Sequence, residues 1–425
     1  MHERALCKAH KQGLLGLRRV YNRRMAERRP IREWWQPPRK AADRIAHRQV
    51  TFLELFYDLV YVVVIAELAH SLSGHLSARA VGEFFFLFFI VWFAWINGSS
   101  YTDIHGNNDL RTRVFTFLQM LTVIGMALFA HDAMGETSRG FALSYAAFQL
   151  ILTYLWWRTG VYDKEHRPLS RPYSLFFLIN TVLFAVSAFV PESLRFNLWI
   201  AAVGISLVLP LNLFFVARRN ESARAEVEMV MQYSPSLVER FGLFNIIVLG
   251  EVIVGVLSGL SHQHELSGSM LLVGGLGALV AIALWWVYFD FVSHRIPRAT
   301  PVGAGGWMYL HLPLTFGIAA VGAAMGNLIE QAGHGLTGEV SWLMAGAIAI
   351  TLVSVSLLIR TIPQEGISAI SHPPGANAML LSAGLALLLP LFVGEALPFL
   401  GLAAGLILLP VAVTFWVYVN NPGID

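Results

Sequence analysis

The chain has one cysteine, Cys7, in 425 residues. That excludes an intrachain disulfide, a cysteine-based zinc site and an iron–sulfur cluster. Charge is scarce too. Asp, Glu, Lys and Arg make up 13% of the sequence, against about 25% in a soluble globular protein. There is no HExxH, no GxSxG, no P-loop and no GxGxxG placed after a strand, so the common metalloprotease, hydrolase and nucleotide-binding signatures are missing. The expectation is a non-enzyme with no cofactor and no metal. The first long apolar run begins near Val50, too late for the h-region of a secretory signal peptide.

What the chain has is apolar length. It is 56% hydrophobic, with 12 Trp and 28 Phe. Runs of about 20 apolar residues, the length a helix needs to cross roughly 30 Å, recur along it. They cover residues 50–73, 81–100, 113–131, 140–159, 172–190, 194–217, 237–260, 268–293, 306–330, 339–361, 374–393 and 396–419. This pattern predicts an all-α polytopic membrane protein with about 12 transmembrane helices.

The charge is unevenly placed. Of the 30 Lys and Arg, 14 lie in residues 1–49, against four acidic residues there. With the N-terminus inside, the cytoplasmic segments hold 27 Lys and Arg, and the outer loops hold three, Arg79, Arg139 and Arg195. By the positive-inside rule both termini are cytoplasmic and the protein sits in the inner membrane. Residues 1–48 read as a basic cytoplasmic tail. Its Leu14, Leu15, Leu17 and Val20 can lay a short amphipathic turn on anionic lipid headgroups. Beside a membrane span, lipid is a nearer polyanion than nucleic acid, and no nucleic-acid partner is expected.

An internal repeat divides the rest. Leu53–Phe56 (LELF) falls on Val238–Phe241 (VERF), which aligns Glu54 with Glu239, and further glutamates follow at Glu67 and Glu251. Trp92, Trp95 and Asn97 fall on Trp285, Tyr288 and Asp290; Gln119 and Gly125 fall on His311 and Gly317. Arg158-Thr159 and Arg360-Thr361 close the fourth and tenth runs. The expected organisation is a first six-helix repeat at 49–217, a cytoplasmic linker at 218–236, a second repeat at 237–420 and a short cytoplasmic end at 421–425. An even number of spans per half makes the two halves parallel.

Ionisable groups inside a span are costly, about 2.5–3.5 kcal/mol each on insertion scales, unless they face protein or water. The first run carries three carboxylates, Glu54, Asp58 and Glu67. Glu54 and Asp58 are one turn apart on the same helix face. Glu54 is near the helix start, where the macrodipole and an arginine (Arg113, Arg158 or Arg240) can hold it. Asp58 is about 12 Å into the span by the helical rise, too deep for the interface to solvate. Glu67 and its counterpart Glu251 lie toward the outer side, and each can be a proton carrier or a neutral hydrogen-bonded pin. His70, and His262 with His264, follow them. Asp290, His311 and Asn245 are further intramembrane polar groups, of the kind that more often bond a neighbouring helix than a ligand. The loop YTDIHGNNDLRTR (Tyr101–Arg113) lacks the terminal glutamate of a calcium loop. It reads as an Asx-held turn in which Asp109 and Arg113 open the third span.

LELFYDLVYVV (Leu53–Val63), YTDIHGNNDLRTR and ERFGLFNIIVLGEVIVGV (Glu239–Val256) resemble the bacterial low temperature requirement A (LtrA) family. The likeness covers about residues 48–420. It implies a multi-pass membrane protein linked to cold or stress adaptation, and it names no substrate. The loop keeps mainly Asp109 and Arg113 of the family's pattern.

The leading expectation is a transporter- or channel-like protein that moves a small ion or a proton. Asp58, Glu67 and Glu251 would be its pathway carboxylates, with Glu54 and Glu239 paired to arginines. The alternative is a non-transporting factor that senses or organises lipid, with the carboxylates as structural pins. A lipid-modifying enzyme ranks behind both, since no second acidic cluster accompanies the first.

Overall fold

The computed structural model describes residues 34–43, 48–219, 231–261, 267–365 and 368–421. The amphipathic turn expected at Leu14–Val20, most of the 218–236 linker, His262, His264 and the last four residues lie outside them. The described chain is helical. Among the described residues there is no strand, only an isolated bridge between Gly335 and Glu395.

Twelve helices of 19 residues or more follow in order. They are α1 (Phe52–Gly74), α2 (Ala78–His105), α3 (Leu110–Leu128), α4 (Ser138–Tyr162), α5 (Arg167–Ser187), α6 (Glu192–Arg219), α7 (Pro235–Ser261), α8 (Gly268–Phe291), α9 (Pro301–Glu330), α10 (Gly338–Thr361), α11 (Ser368–Ala386) and α12 (Ala396–Val419). Each falls on one of the apolar runs. Among the described residues, eight regions are long and apolar enough to cross a membrane: α2, α5, α7, α8, α9 from Val302, α10, the stretch Ser368–Phe392 and α12. The run read as 374–393 is broken. The helix stops at Ala386, and a separate single turn, Leu389–Phe392, follows with Pro390 inside it. A proline cannot donate to the preceding turn, so the long helix ends before it.

Local chemistry fixes the helix starts. Thr51 and Glu54 form a capping box on α1: Thr51 Oγ1 accepts from the Glu54 N–H, and Glu54 Oε2 accepts from the Thr51 N–H at 2.9 Å. Asp109 caps α3, Ser77 caps α2, Ser267 caps α8 and Thr300 caps α9.

The helices alternate in direction. At one end the starts of α1, α3, α7 and α9 meet the ends of α2, α4, α8 and α10. Arg39, Arg48, Arg111, Arg240 and Arg298 lie there, and we call it the basic end. At the far end Ser71 donates to the His131 carbonyl, and Asn327 of α9 donates to the Ser73 carbonyl, 2.9 Å away. Within the first half α1 packs on α2 and α3, and the chain of contacts continues α3–α4, α4–α5 and α5–α6. The second half has the same order, α7 on α8 and α9, then α9–α10, α10–α11 and α11–α12. The halves meet where α1 and α2 touch α7 and α9.

The α7–α9 contact is built on glycine. A Cβ on Gly255 would lie 2.4 Å from the Gly322 carbonyl, and one on Gly259 would lie 2.8 Å from the Gly326 carbonyl. Two small-xxx-small stripes thus let the backbones touch, and dispersion between them replaces the hydrophobic drive that lipid removes. The Gly322 face lies against the backbone of Glu251.

Candidate functional site

The first helices of the two halves are joined by buried charge. Asp58 of α1 is fully buried, and Arg240 of α7 is 1% exposed. Arg240 Nη2 donates to Asp58 Oδ1 at 2.5 Å, and Nε donates to Oδ2 at 3.2 Å. The planar guanidinium therefore grips the carboxylate with two parallel bonds. Trp95 of α2 adds a third donor, its Nε1 at 2.8 Å from Asp58 Oδ1. A carboxylate out of water needs its oxygens hydrogen-bonded, and these three donors cover both, two on Oδ1 and one on Oδ2.

One turn toward the basic end stands Glu54. Arg48 Nη2 donates to its Oε1 at 2.5 Å, and Arg240 Nη1 lies 3.8 Å from the same oxygen. Arg240 also sits over the Tyr57 ring, 5.6 Å from its centroid. Arg48 reaches 3.8 Å from Asp103 of α2, which accepts from Ser234 and Ser236 at the start of α7. Two carboxylates on α1 and one on α2 thus enclose two arginines. A cavity of about 610 Å³, lined by Arg39, Arg48, Glu54, Asn107, Asn108 and Arg113 among others, gives Glu54 access to the basic end.

Behind Trp95 the packing is aromatic. Phe244 stacks on it with centroids 4.1 Å apart, and Phe241 meets it edge-on. Phe241 also touches Trp307 and His311 of α9. His311 Nδ1 faces the Trp307 carbonyl at 2.7 Å, so that nitrogen carries the proton. Nε2 then accepts from the Tyr288 hydroxyl at 3.1 Å. Rings that touch on three sides fix Trp95, and through it the orientation of Asp58.

Residues 34–43, read from the sequence as part of the tail, lie across this end. Arg39 donates to the Ile104 carbonyl at 3.0 Å and to the Asp103 carbonyl, filling orphan acceptors at the α2 C-terminus. His105 Nδ1 meets the Arg39 carbonyl at 2.8 Å, and the Gln36 N–H donates to Asp109.

The other expected residues scatter. Glu67 and Glu251 are half-buried and have no ion pair among the described residues. Nine residues beyond Asp58, Glu67 stands about 13 Å further along α1. Glu239 is exposed and likewise has no ion pair among the described residues. Asp290 is exposed and accepts from Trp286 Nε1 at 2.7 Å. Asp109 caps α3, as read, and also accepts from Thr112. Of the arginines offered as partners for Glu54, Arg113 and Arg158 are engaged elsewhere, and Arg360 has no ion pair among the described residues either. Arg113 is exposed and donates to Asn108, Arg158 donates to the Tyr154 hydroxyl at 3.2 Å, and Arg360 is exposed, its carbonyl accepting from Arg298. Glu54 takes Arg48 instead, because the residues before Thr51 fold back over the helix start. Sequence reasoning missed Arg48, Trp95 and Asp103 as members of the cluster. Trp95 had one signal, its alignment with Tyr288.

Many helices long and apolar enough to span, with charge buried between them, define a multi-pass membrane protein. The model of the bacterial low temperature requirement A protein (LtrA) family matches residues 49–417. The chain belongs to that family. It is also 27% identical over 280 residues to "Uncharacterized protein RA0937" of Rhizobium meliloti (strain 1021), covering 64% of this chain and 67% of that protein. No solved structure matches it.

Proposed function

We propose that the protein crosses the cytoplasmic membrane with all twelve long helices, as two parallel six-helix halves with both termini cytoplasmic, and moves a proton or small ion past the Asp58–Arg240 pair. The observation that carries this reading is the pair itself, a charge-neutral contact between the first helices of the halves, one turn below a vestibule. A proton entering by Glu54 and passing to Asp58 neutralises the acceptor that holds Arg240. That weakens the contact between α1 and α7, the junction where two halves must move for alternating access. Glu67 and Glu251, half-buried nearer the far end, are the next stations. The corresponding contact order of the two halves supports the repeat. The clustering of arginine at one end supports the orientation. No catalytic role is assigned. The link to low temperature that the family's name carries would then act through ion balance.

A second reading has one observation in its favour. Both oxygens of Asp58 and both of Glu54 already have donors, the wiring of a fixed pin in a membrane factor that does not transport.

The test is flux. Purified protein in proteoliposomes is assayed for proton and potassium movement beside Asp58→Asn, Glu67→Gln and Glu251→Gln. Transport predicts flux in the wild type and its loss in a folded Asp58→Asn variant. No flux of either ion, with the variants only less stable, leaves the pin.

A further inference from the structure

The basic end of the first half holds a second group of arginines with the opposite supply of partners. Arg111, in the first turn of α3, is 2% exposed, and Arg158, near the C-terminal end of α4, is 8% exposed. Each is within electrostatic reach of the other and of Tyr101 and Tyr154. Arg158 donates to the Tyr154 hydroxyl and lies over the Tyr162 ring at 5.2 Å. Neither guanidinium has a carboxylate within hydrogen-bond distance. Asp109 comes nearest, 3.8 Å from Arg111 Nε. Its oxygens are already taken, Oδ2 by the Gln36 N–H and Oδ1 by Thr112.

The result is a concentration of bare buried donors. Arg111 Nε and Nη1, Arg158 Nε and Trp156 Nε1 are all buried with no hydrogen-bond partner. Two bare ring nitrogens accompany them, Nε2 of His105 and Nε2 of the neighbouring His166. His105 has its Nδ1 proton directed at the Arg39 carbonyl, which leaves the unpartnered Nε2 as a lone pair in the neutral ring. Arg111 has only the long contact to Asp109, a carboxylate shared with two other donors, and Arg158 has no ion pair among the described residues. Two like charges so weakly compensated out of water are stabilised when a further anion joins them. The Arg240 cluster shows how this chain treats a buried arginine whose counter-charge is built in.

We propose that Arg111 and Arg158 form a binding site for a phosphate-type oxyanion at the basic end of the first half. Planar guanidinium forks match the oxygens of phosphate two at a time. A protonated phosphate oxygen would also satisfy His105 Nε2, which a halide cannot do. The anion can be a lipid headgroup phosphate or free phosphate. The outer face of α4 beside Arg158 carries exposed Trp157 and Tyr162, 57% and 53%, and such aromatic rings gather at headgroup level.

The experiment uses the purified full chain in a nonionic detergent. One arm measures binding of labelled inorganic phosphate by equilibrium dialysis. The other measures retention of dioleoylphosphatidylglycerol against dioleoylphosphatidylcholine by native mass spectrometry. The wild type should bind saturably in at least one arm. Binding should fall at least tenfold in Arg158→Gln and in Arg111→Gln, be partly kept in Arg158→Lys, and be unchanged in Arg360→Gln, which removes an equal charge from an exposed position. Binding in the first arm alone identifies free phosphate, and binding in the second alone identifies the headgroup. Folding is checked by gel filtration, and if Arg111→Gln fails it the two Arg158 variants decide. The proposal is overturned if the wild type binds in neither arm, or if Arg158→Gln binds as the wild type does.

Discussion

Positions that the proposed repeat aligns are wired differently. In the first half Trp95 of α2 donates to a carboxylate, Asp58, that is gripped by Arg240 from the other half. In the second half Tyr288 of α8, aligned with Trp95 by the repeat, donates to a neutral histidine, His311, within its own half. The first arrangement is charged and crosses between halves; the second is neutral and local. Position 243, which the repeat aligns with Asp58, is a leucine. Under the proposed function, a single such pair would respond to a proton with no duplicate to hold the junction together.

The sharpest way to break this asymmetry is Arg240→Met, which strands Asp58 in the core. Loss of one partner of a buried pair costs about 3–5 kcal/mol, so thermal unfolding in detergent should show a large loss or no monodisperse protein. Asp58→Leu combined with Arg240→Met should recover most of that stability while leaving no flux, which separates holding from moving. Next comes the α7–α9 contact, which seats the second half against α1. Gly255→Ala pushes a methyl into the Gly322 carbonyl and should cost about 1–3 kcal/mol by overpacking, read as a lowered midpoint in the same unfolding measurement. Smaller still are the two donors. Trp95→Phe keeps the aromatic contact but removes a hydrogen bond to a charged group, about 1.5–3 kcal/mol at most, whereas Tyr288→Phe removes a neutral one, about 0.5–1.5 kcal/mol. In transport assays Trp95→Phe should alter flux and Tyr288→Phe should not. Glu239→Gln, exposed and without an ion pair among the described residues, should stay within about 0.5 kcal/mol of wild type and leave flux unchanged.

The helices were legible because a membrane crossing demands about 20 apolar residues, and runs near that length recur along the chain. The α1 start was legible too, since Thr51 and Glu54 have capping-box spacing. The partner of Asp58 was not, because 182 residues separate it from Arg240. Arg240 was on view beside several other arginines, with nothing local to rank them. Arg48 looked like the last residue of a solvated arm, and only the fold-back of the chain before α1 brings it to Glu54. Arg158 was read as a partner for a carboxylate. The chain instead leaves it beside another arginine.

By itself, then, the sequence determined that this chain is a bundle of long apolar helices, roughly where they lie, which end is basic and which carboxylates fall deep within an apolar run. These follow from interactions within a few residues and from the chain's preference for lipid over water. The tertiary structure alone decided which carboxylate is paired, which buried arginines have no carboxylate within hydrogen-bond distance and which helices meet across the molecule. Those outcomes depend on distances between residues far apart in the chain, set by how the helices pack, and no local pattern encodes them.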